Sequence, residues 1–313
     1  MRRMKKNNLR ALTVLSAAKS VILLLVMAQT GVSCRREPIH EPFSSYYLRL
    51  NNSYEALHIT PSRPGMFEAV FYDRETHEEV GQSYLGTNGG YLYDIAPGTY
   101  EMIVYQFDGG NTELTGFRRY CDAKAYTSPW PDGDTVAYNA PDHLLADRDT
   151  AFTIPFLYDT DETYYLDAYP STVTDTWCVV IDGIKGLRNA ASMDMYVSGQ
   201  SRSTLVASLT DSKEEMNIHV PVQVDYENDC IRTPFCTFGK LAGRKSRLRL
   251  VITDQNQQTY VCRAEITDQF DDPENTGHWI YLHFDITIEP KKSGGMMPVV
   301  NEWEENVYDF DLF

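Results

Sequence analysis

The chain has 313 residues, a formal charge of −16, and 12% aromatic residues that include 21 tyrosines. That length is enough for two domains, each with its own core, and the acidic surplus repels phosphate backbones, which excludes nucleic acid as a partner. The tyrosines, apolar rings with polar tips, suit both half-buried strands and exposed binding faces.

The first segment reads as an export leader. Arg2, Arg3, Lys5, Lys6 and Arg10 precede an apolar run from Val21 to Ala28, with no acidic residue before Cys34. The run is shorter than the roughly 20 residues needed to span a bilayer, and Lys19 blocks its extension. Gly31, Val32 and Ser33 before Cys34 resemble the lipobox of bacterial lipoproteins, with Gly31 replacing the expected Leu-like residue. The expectation is a signal peptide over 1–33, an acylated Cys34, and a tether over 34–43; the alternative is ordinary secretory cleavage near Ala28 or Ser33, which leaves Cys34 a thiol. Acyl chains contribute about 0.8 kcal/mol per buried CH₂, so several hold a protein stably at a membrane. Removing the leader's six basic residues takes the formal charge from −16 to about −22.

Beyond the tether, short alternating runs separated by turn residues predict an all-β sandwich fold. Strands are expected at Tyr46–Leu50, Met66–Tyr72 and Tyr91–Ile95, followed by Thr99–Phe107 after the Pro97-Gly98 reversal. In the last of these Tyr100, Met102, Val104 and Gln106 share one face and Glu101, Ile103, Tyr105 and Phe107 the other, which predicts a central strand covered on both sides. Residues 108–150, rich in Gly, Asn, Asp and Pro, read as long loops with one or two short strands. Ala151–Tyr158 would end the first domain as an edge strand, its Pro155 unable to donate to a ladder. Asp159–Thr163 is the linker candidate, giving domains over 44–158 and 159–313. In the second, strands are expected over 174–184, 191–199, 216–224, 247–253, 258–267 and 278–288. Arg244, Lys245, Arg247 and Arg249 form a basic cluster that reads as a solvated strand face.

Little in the chain points to catalysis. G-x-S-x-G, H-E-x-x-H, P-loop and CxxC motifs are missing, and His278 and His283 would fall on opposite faces of a strand. Acids brought together only by folding, as in glycosidases, leave no local signature. Carboxylates over Asp268–Asn275 could ligate calcium but lack EF-hand spacing, so no cofactor or metal is expected. Cys121, Cys178, Cys230, Cys236 and Cys262 are odd in number, which leaves at least one unpaired. Cys230 and Cys236 flank Arg232-Thr233-Pro234, a candidate turn, and export would permit a disulfide between them. Cys178 and Cys262 read as small buried hydrophobes.

Several segments together resemble the fimbrial anchor lipoproteins of the fimbrillin-B class of Bacteroidales. They are the leader with Cys34, the Phe71-Tyr72-Asp73 strand end, Gly89-Gly90-Tyr91-Leu92 with Ala96-Pro97-Gly98-Thr99-Tyr100, Val180 to Leu187, and the ending Gly294 to Glu305. The resemblance implies two tandem transthyretin-like β-sandwiches, no enzymatic activity, a lipid anchor in the outer membrane at the cell surface or fimbrium, and fimbrial subunits as partners joined by strand exchange. Met297–Phe313 is then the candidate exchanged strand, with Val299, Trp303, Val307 and Phe310 as its anchors; the alternative is a strand that completes the second domain. A different function class also fits: a lipid-tethered β-sandwich that binds glycan or peptide through exposed tyrosine and tryptophan.

Overall fold

The computed structural model describes residues 45–53, 56–60, 64–107, 110–131, 136–157 and 162–291, with the backbone of 305–310. The first strands are β1 (Tyr46–Leu50), β2 (Met66–Tyr72), β3 (Glu79–Gly86), β4 (Gly89–Leu92) and β5 (Gly98–Gln106). There follow β6 (Thr112–Thr115), β7 (Lys124–Thr127), β8 (Pro129–Trp130), β9 (Ala137–Asn139), β10 (Leu145–Ile154), β11 (Tyr164–Ala168) and β12 (Ser171–Thr172). The rest are β13 (Asp175–Lys185), β14 (Ala190–Ser201), β15 (Ser203–Leu205), β16 (Thr210–Asp211), β17 (Glu215–Pro221), β18 (Val224–Asp225) and β19 (Cys230–Thr237). After β20 (Arg247–Asp254) and β21 (Thr259–Glu265), the helix α1 (Thr267–Asp271) precedes β22 (Trp279–Thr287) and β23 (Glu305–Phe310). The protein is all-β, built of sandwich-like layers.

One eight-stranded sheet runs β11-β1-β4-β3-β2-β5-β10-β12. It is folded over on itself, because residues from both of its ends, Leu48 and Leu166 on one side and Phe67, Phe71, Val104 and Ile154 on the other, share one apolar cluster. The corner is the β3–β4 hairpin, where Gly86 pairs with Gly89 alone. Gly89 has φ +119°, and a Cβ there would stand 1.9 Å from the Leu48 carbonyl oxygen, so only glycine lets β1 approach. β5 lies between β2 and β10, with Met102 and Val104 in this cluster and Ile103 and Tyr105 in the other, as its alternation predicts.

The opposite face of that sheet, with Val70, Tyr72, Ile103 and Tyr105, belongs to a larger core that continues into the second half of the chain. There a four-stranded sheet, β18-β19-β13-β22, faces a seven-stranded one, β23-β21-β20-β14-β17-β9-β8. β22 shows the physical pattern most plainly: Ile280, Leu282, Phe284 and Ile286 are buried while Tyr281, His283 and Asp285 are exposed. Fully burying each of those apolar side chains contributes roughly 1.5–3 kcal/mol, which fixes the register, since a one-residue slip would expose them all.

Strand pairing crosses residues 158/159 in both directions. β11 adds in parallel to β1, with Tyr46 opposite Tyr164, and β12 pairs with β10. From the other side β7 pairs with β15 and β9 with β17. The segment 108–150 therefore holds β6 to β9 and the start of β10, more strand than its turn-rich composition predicts. Ala151–Tyr158 differs as well: β10 begins six residues earlier and stops at Ile154, so Pro155 ends the strand rather than sitting within an edge, and its carbonyl accepts a 2.6 Å bond from the Tyr46 hydroxyl. Of the expected linker, residues 159–161 lie outside the described residues.

The predicted turn at Arg232-Thr233-Pro234 is the middle of β19. Pro234 stands opposite Cys178, whose N–H donates away from β19 to the His278 carbonyl at 3.0 Å. The Pro234 nitrogen consequently points away from β13, beyond the reach of the two-residue β18, and the missing donor costs no ladder bond. Cys230 and Cys236 are thus at opposite ends of one extended strand, about 20 Å apart at about 3.3 Å per residue. A disulfide needs Cα atoms within about 7 Å, so the Cys230–Cys236 bridge that export would permit does not form, and all five described cysteines are free.

Candidate functional site

Two surfaces stand out, a terminal strand and a tyrosine-covered sheet face. The first is β23, which pairs in parallel with β21 at one edge of the seven-stranded sheet. Val307 is opposite Val261 and Phe310 opposite Ala264, so these two predicted anchors occupy opposite-parity positions of the strand. Cys34, Val299 and Trp303 lie outside the described residues.

The second surface is the outer face of β11, β1 and β4. Alternation sends Tyr46, Leu48 and Leu50 into the core and leaves Tyr47 and Arg49 outside. Register then sets Tyr47 beside Tyr165 on β11 and Tyr91 on β4. The Tyr47 ring meets Tyr91 edge-on at 5.0 Å and Tyr165 at 5.8 Å, and Tyr93 lies 6.3 Å from Tyr91. Tyr93 is 68% exposed, Tyr165 54% and Tyr91 43%. The row ends on an ion pair: Arg49 is bidentate to Asp167 at 2.8 and 2.6 Å, and its guanidinium lies 5.2 Å over the Tyr165 ring. Hydrogen bonds from Arg49, and then from Asn51 at 3.0 Å, hold the Asp167 carboxyl below its usual range, and the same bond raises Arg49. Ring faces, hydroxyls and a fixed charge pair side by side can stack on apolar faces while hydrogen-bonding polar edges. The sequence carries a signal for this surface, the doublets Tyr46-Tyr47 and Tyr164-Tyr165 and the alternating Tyr91 and Tyr93. Only the pairing of β1 with β11 on one side and with β4 on the other brings them together.

Other groups singled out in the sequence are held in structural roles. His278 stacks on Trp177 at 4.4 Å and bonds the Thr176 carbonyl, whereas His283 is exposed and pairs with Asp182 at 2.6 Å. The basic cluster is dispersed: Lys245 pairs with Glu265 at 2.8 Å, Arg244 with Glu215 at 3.6 Å, and Arg249 covers the Tyr196 ring. In the 268–275 segment Asp271 pairs with Lys240 and Asp272 accepts the Glu274 N–H at 2.9 Å. The buried carboxylates Glu68 and Glu101 engage Tyr105 and His77. Burial pushes the Cys178 thiol up, Cys236 to about 11 and Cys262 to about 12. Among the described residues no group of three or more His, Cys, Asp or Glu is arranged to hold a metal.

Neither a family model nor a curated protein matches the chain. Solved structures do. A candidate adhesin from Bacteroides ovatus is 16% identical, with a TM-score of 0.58 over 80% of this chain and 94% of that one. The fimbrial anchor protein Mfa2 of Porphyromonas gingivalis is 11% identical, with a TM-score of 0.46 over 76% of this chain and 89% of the other. A candidate polysaccharide-binding protein (DUF1812) from Bacteroides thetaiotaomicron is also 11% identical, at 0.45 over 76% and 89%. The likeness to the Bacteroides ovatus protein is one of fold.

Proposed function

We propose that the chain is a non-enzymatic lipoprotein, held at the outer membrane by acyl chains on Cys34, that joins a fimbria-like polymer to that membrane as an anchor or minor subunit. β23 carries this reading. It comes last in sequence among the described strands, pairs in parallel with β21 alone, and closes an edge that a strand from another chain could equally fill. Exchanging one strand for another conserves the main-chain hydrogen bonds, so the exchange costs little, while alternate side chains set partner choice. A fold shared with a candidate adhesin agrees with an adhesive, assembling role. The test is co-purification of pilin-like subunits with the full chain from outer membranes. Deleting Met297–Phe313 is expected to abolish it; unchanged recovery of the subunits would refute strand addition at this edge. Fatty-acid labelling lost in Cys34→Ala tests the anchor separately.

The tyrosine face favours a second role, adhesion to glycan or peptide. Exposed rings of Tyr165 on β11, Tyr91 on β4 and Tyr93 after it, with half-buried Tyr47 of β1 between them, stand beside a fixed Arg49–Asp167 pair and supply both apolar and polar contacts. Binding to a glycan or peptide array that falls in Tyr91→Ala and Tyr165→Ala, with subunit co-purification intact, would separate this role from the first.

A further inference from the structure

β22 is the edge strand of the four-stranded sheet, and α1 with the turn after it runs along its free side. In a parallel ladder alternate residues direct their backbone groups to the neighbouring strand and the others away from it. The Cys178 N–H bonds the His278 carbonyl, so Ile280 and Leu282 face β13 while the N–H and C=O of Trp279 and Tyr281 point outward. Outward groups of this kind are a template for pairing with another chain.

At both residues the template is occupied by a side-chain amide. Asn275 Oδ1 accepts the Trp279 N–H at 3.0 Å, and Asn275 Nδ2 donates to the Trp279 carbonyl at 2.7 Å. Gln269 repeats the arrangement two positions along: its Oε1 accepts the Tyr281 N–H at 2.8 Å and its Nε2 donates to the Tyr281 carbonyl at 3.1 Å. A primary amide offers one acceptor and one donor side by side, as a peptide group does. Two of them at this spacing reproduce the edge of a strand. The pair is braced, since Asn275 Nδ2 also donates to the Gln269 carbonyl at 2.9 Å, and Phe270 packs 4.3 Å from Trp177.

We propose that Gln269 and Asn275 form a strand mimic that closes β22 against pairing with a second copy of this chain. The sequence of β22 suits a two-fold antiparallel contact. Centred on Phe284, such a contact sets His283 of one copy opposite Asp285 of the other and Tyr281 opposite Thr287. Every residue in these pairs has outward backbone groups, and the exposed histidine and carboxylate, which within one chain meet Asp182 and Lys185, would face each other across the strands. Among the described residues nothing takes the backbone groups of His283 or Asp285. With Tyr281 clipped only the His283–Asp285 pairs remain, a ladder too short to hold two copies together. The second sandwich thus closes its two long edges differently, one with a strand, β23, and the other with two side chains. The closure of β22 does not depend on what β23 joins.

Residue-resolved hydrogen exchange on the full chain in mild detergent tests the clip directly. The Trp279 and Tyr281 amides should exchange at least about 100-fold more slowly than the His283 amide, although all three point away from the sheet. In Gln269→Ala/Asn275→Ala that difference should vanish and sedimentation should show a concentration-dependent dimer. Adding His283→Pro should restore the monomer, because it removes an outward donor and no internal ladder bond. Equal exchange at Tyr281 and His283 in the unmodified chain would overturn the proposal, as would a folded double variant that stays monomeric. If the double variant does not fold, the exchange pattern of the unmodified chain decides.

Discussion

Tyr47 is the keystone of the tyrosine face, since its ring alone touches rings on both neighbouring strands, Tyr91 at 5.0 Å and Tyr165 at 5.8 Å. Aromatic contacts of this kind are worth about 0.5–1.5 kcal/mol each beyond the area they bury. Tyr47→Ala removes both, so a loss of about 2 kcal/mol is expected, or about 4–8 °C in Tm at roughly 2–4 °C per kcal/mol for a domain of this size. Tyr93, 68% exposed and among the described residues in ring contact with Tyr91 alone, makes one such contact instead of two and should lose about 1 kcal/mol or less on the same change. Urea unfolding of the single variants and of the Tyr47→Ala/Tyr91→Ala pair gives the coupling through a double-mutant cycle. A coupling of about 0.5–1.5 kcal/mol is expected. Additive losses would show that the rings are neighbours without interacting, and would remove the rigidity on which a binding role for this face depends.

Thiol reactivity should separate the cysteines: in the folded chain Cys121 is exposed and should label quickly, whereas Cys178, Cys236 and Cys262 are buried. With burial raising the Cys262 thiol to about 12, mass-spectrometric mapping should find it labelled only on unfolding; labelling at the Cys121 rate in the folded chain would refute its burial. Asp167 predicts an acid limb in stability. Its folded pKa is depressed by Arg49 and Asn51, so its contribution is complete above the unfolded value of about 3.9 and is lost as pH falls through the folded one. Arg49→Gln should flatten that limb below about pH 4 in a stability–pH series, and an unchanged slope would count against the pair. Gly89→Ala forces a Cβ to 1.9 Å from the Leu48 carbonyl at φ +119°, so it should cost more than about 3 kcal/mol by denaturant unfolding, against about 0.5 kcal/mol or less at exposed Gly110.

The strands legible in advance are those whose alternation is written in their own residues. β2, β5, β13, β20, β21 and β22 each bury one set of alternate apolar side chains, or both sets, and their bounds fall within a few residues of expectation. β3 escaped because Val80, Gln82 and Tyr84 on its outer row are exposed and its inner row holds Gly81 and Ser83, leaving little apolar period. β19 escaped because Pro234 signals a turn locally, and only the direction of the Cys178 N–H shows that a proline is tolerated there.

Composition and alternation by themselves determined an acidic, all-β chain with many short strands and an abundance of tyrosine. These are local properties, set by which side of a two-residue period avoids water. Tertiary structure decided where those residues met. The tyrosine face requires β11 to join β1 across 118 residues of chain, the second sandwich recruits β8 and β9 from the first half, and the amides of Gln269 and Asn275 acquire a role only because β22 ends its sheet. Pairing between distant strands follows from the combined burial of every strand in the core, and no short segment encodes it.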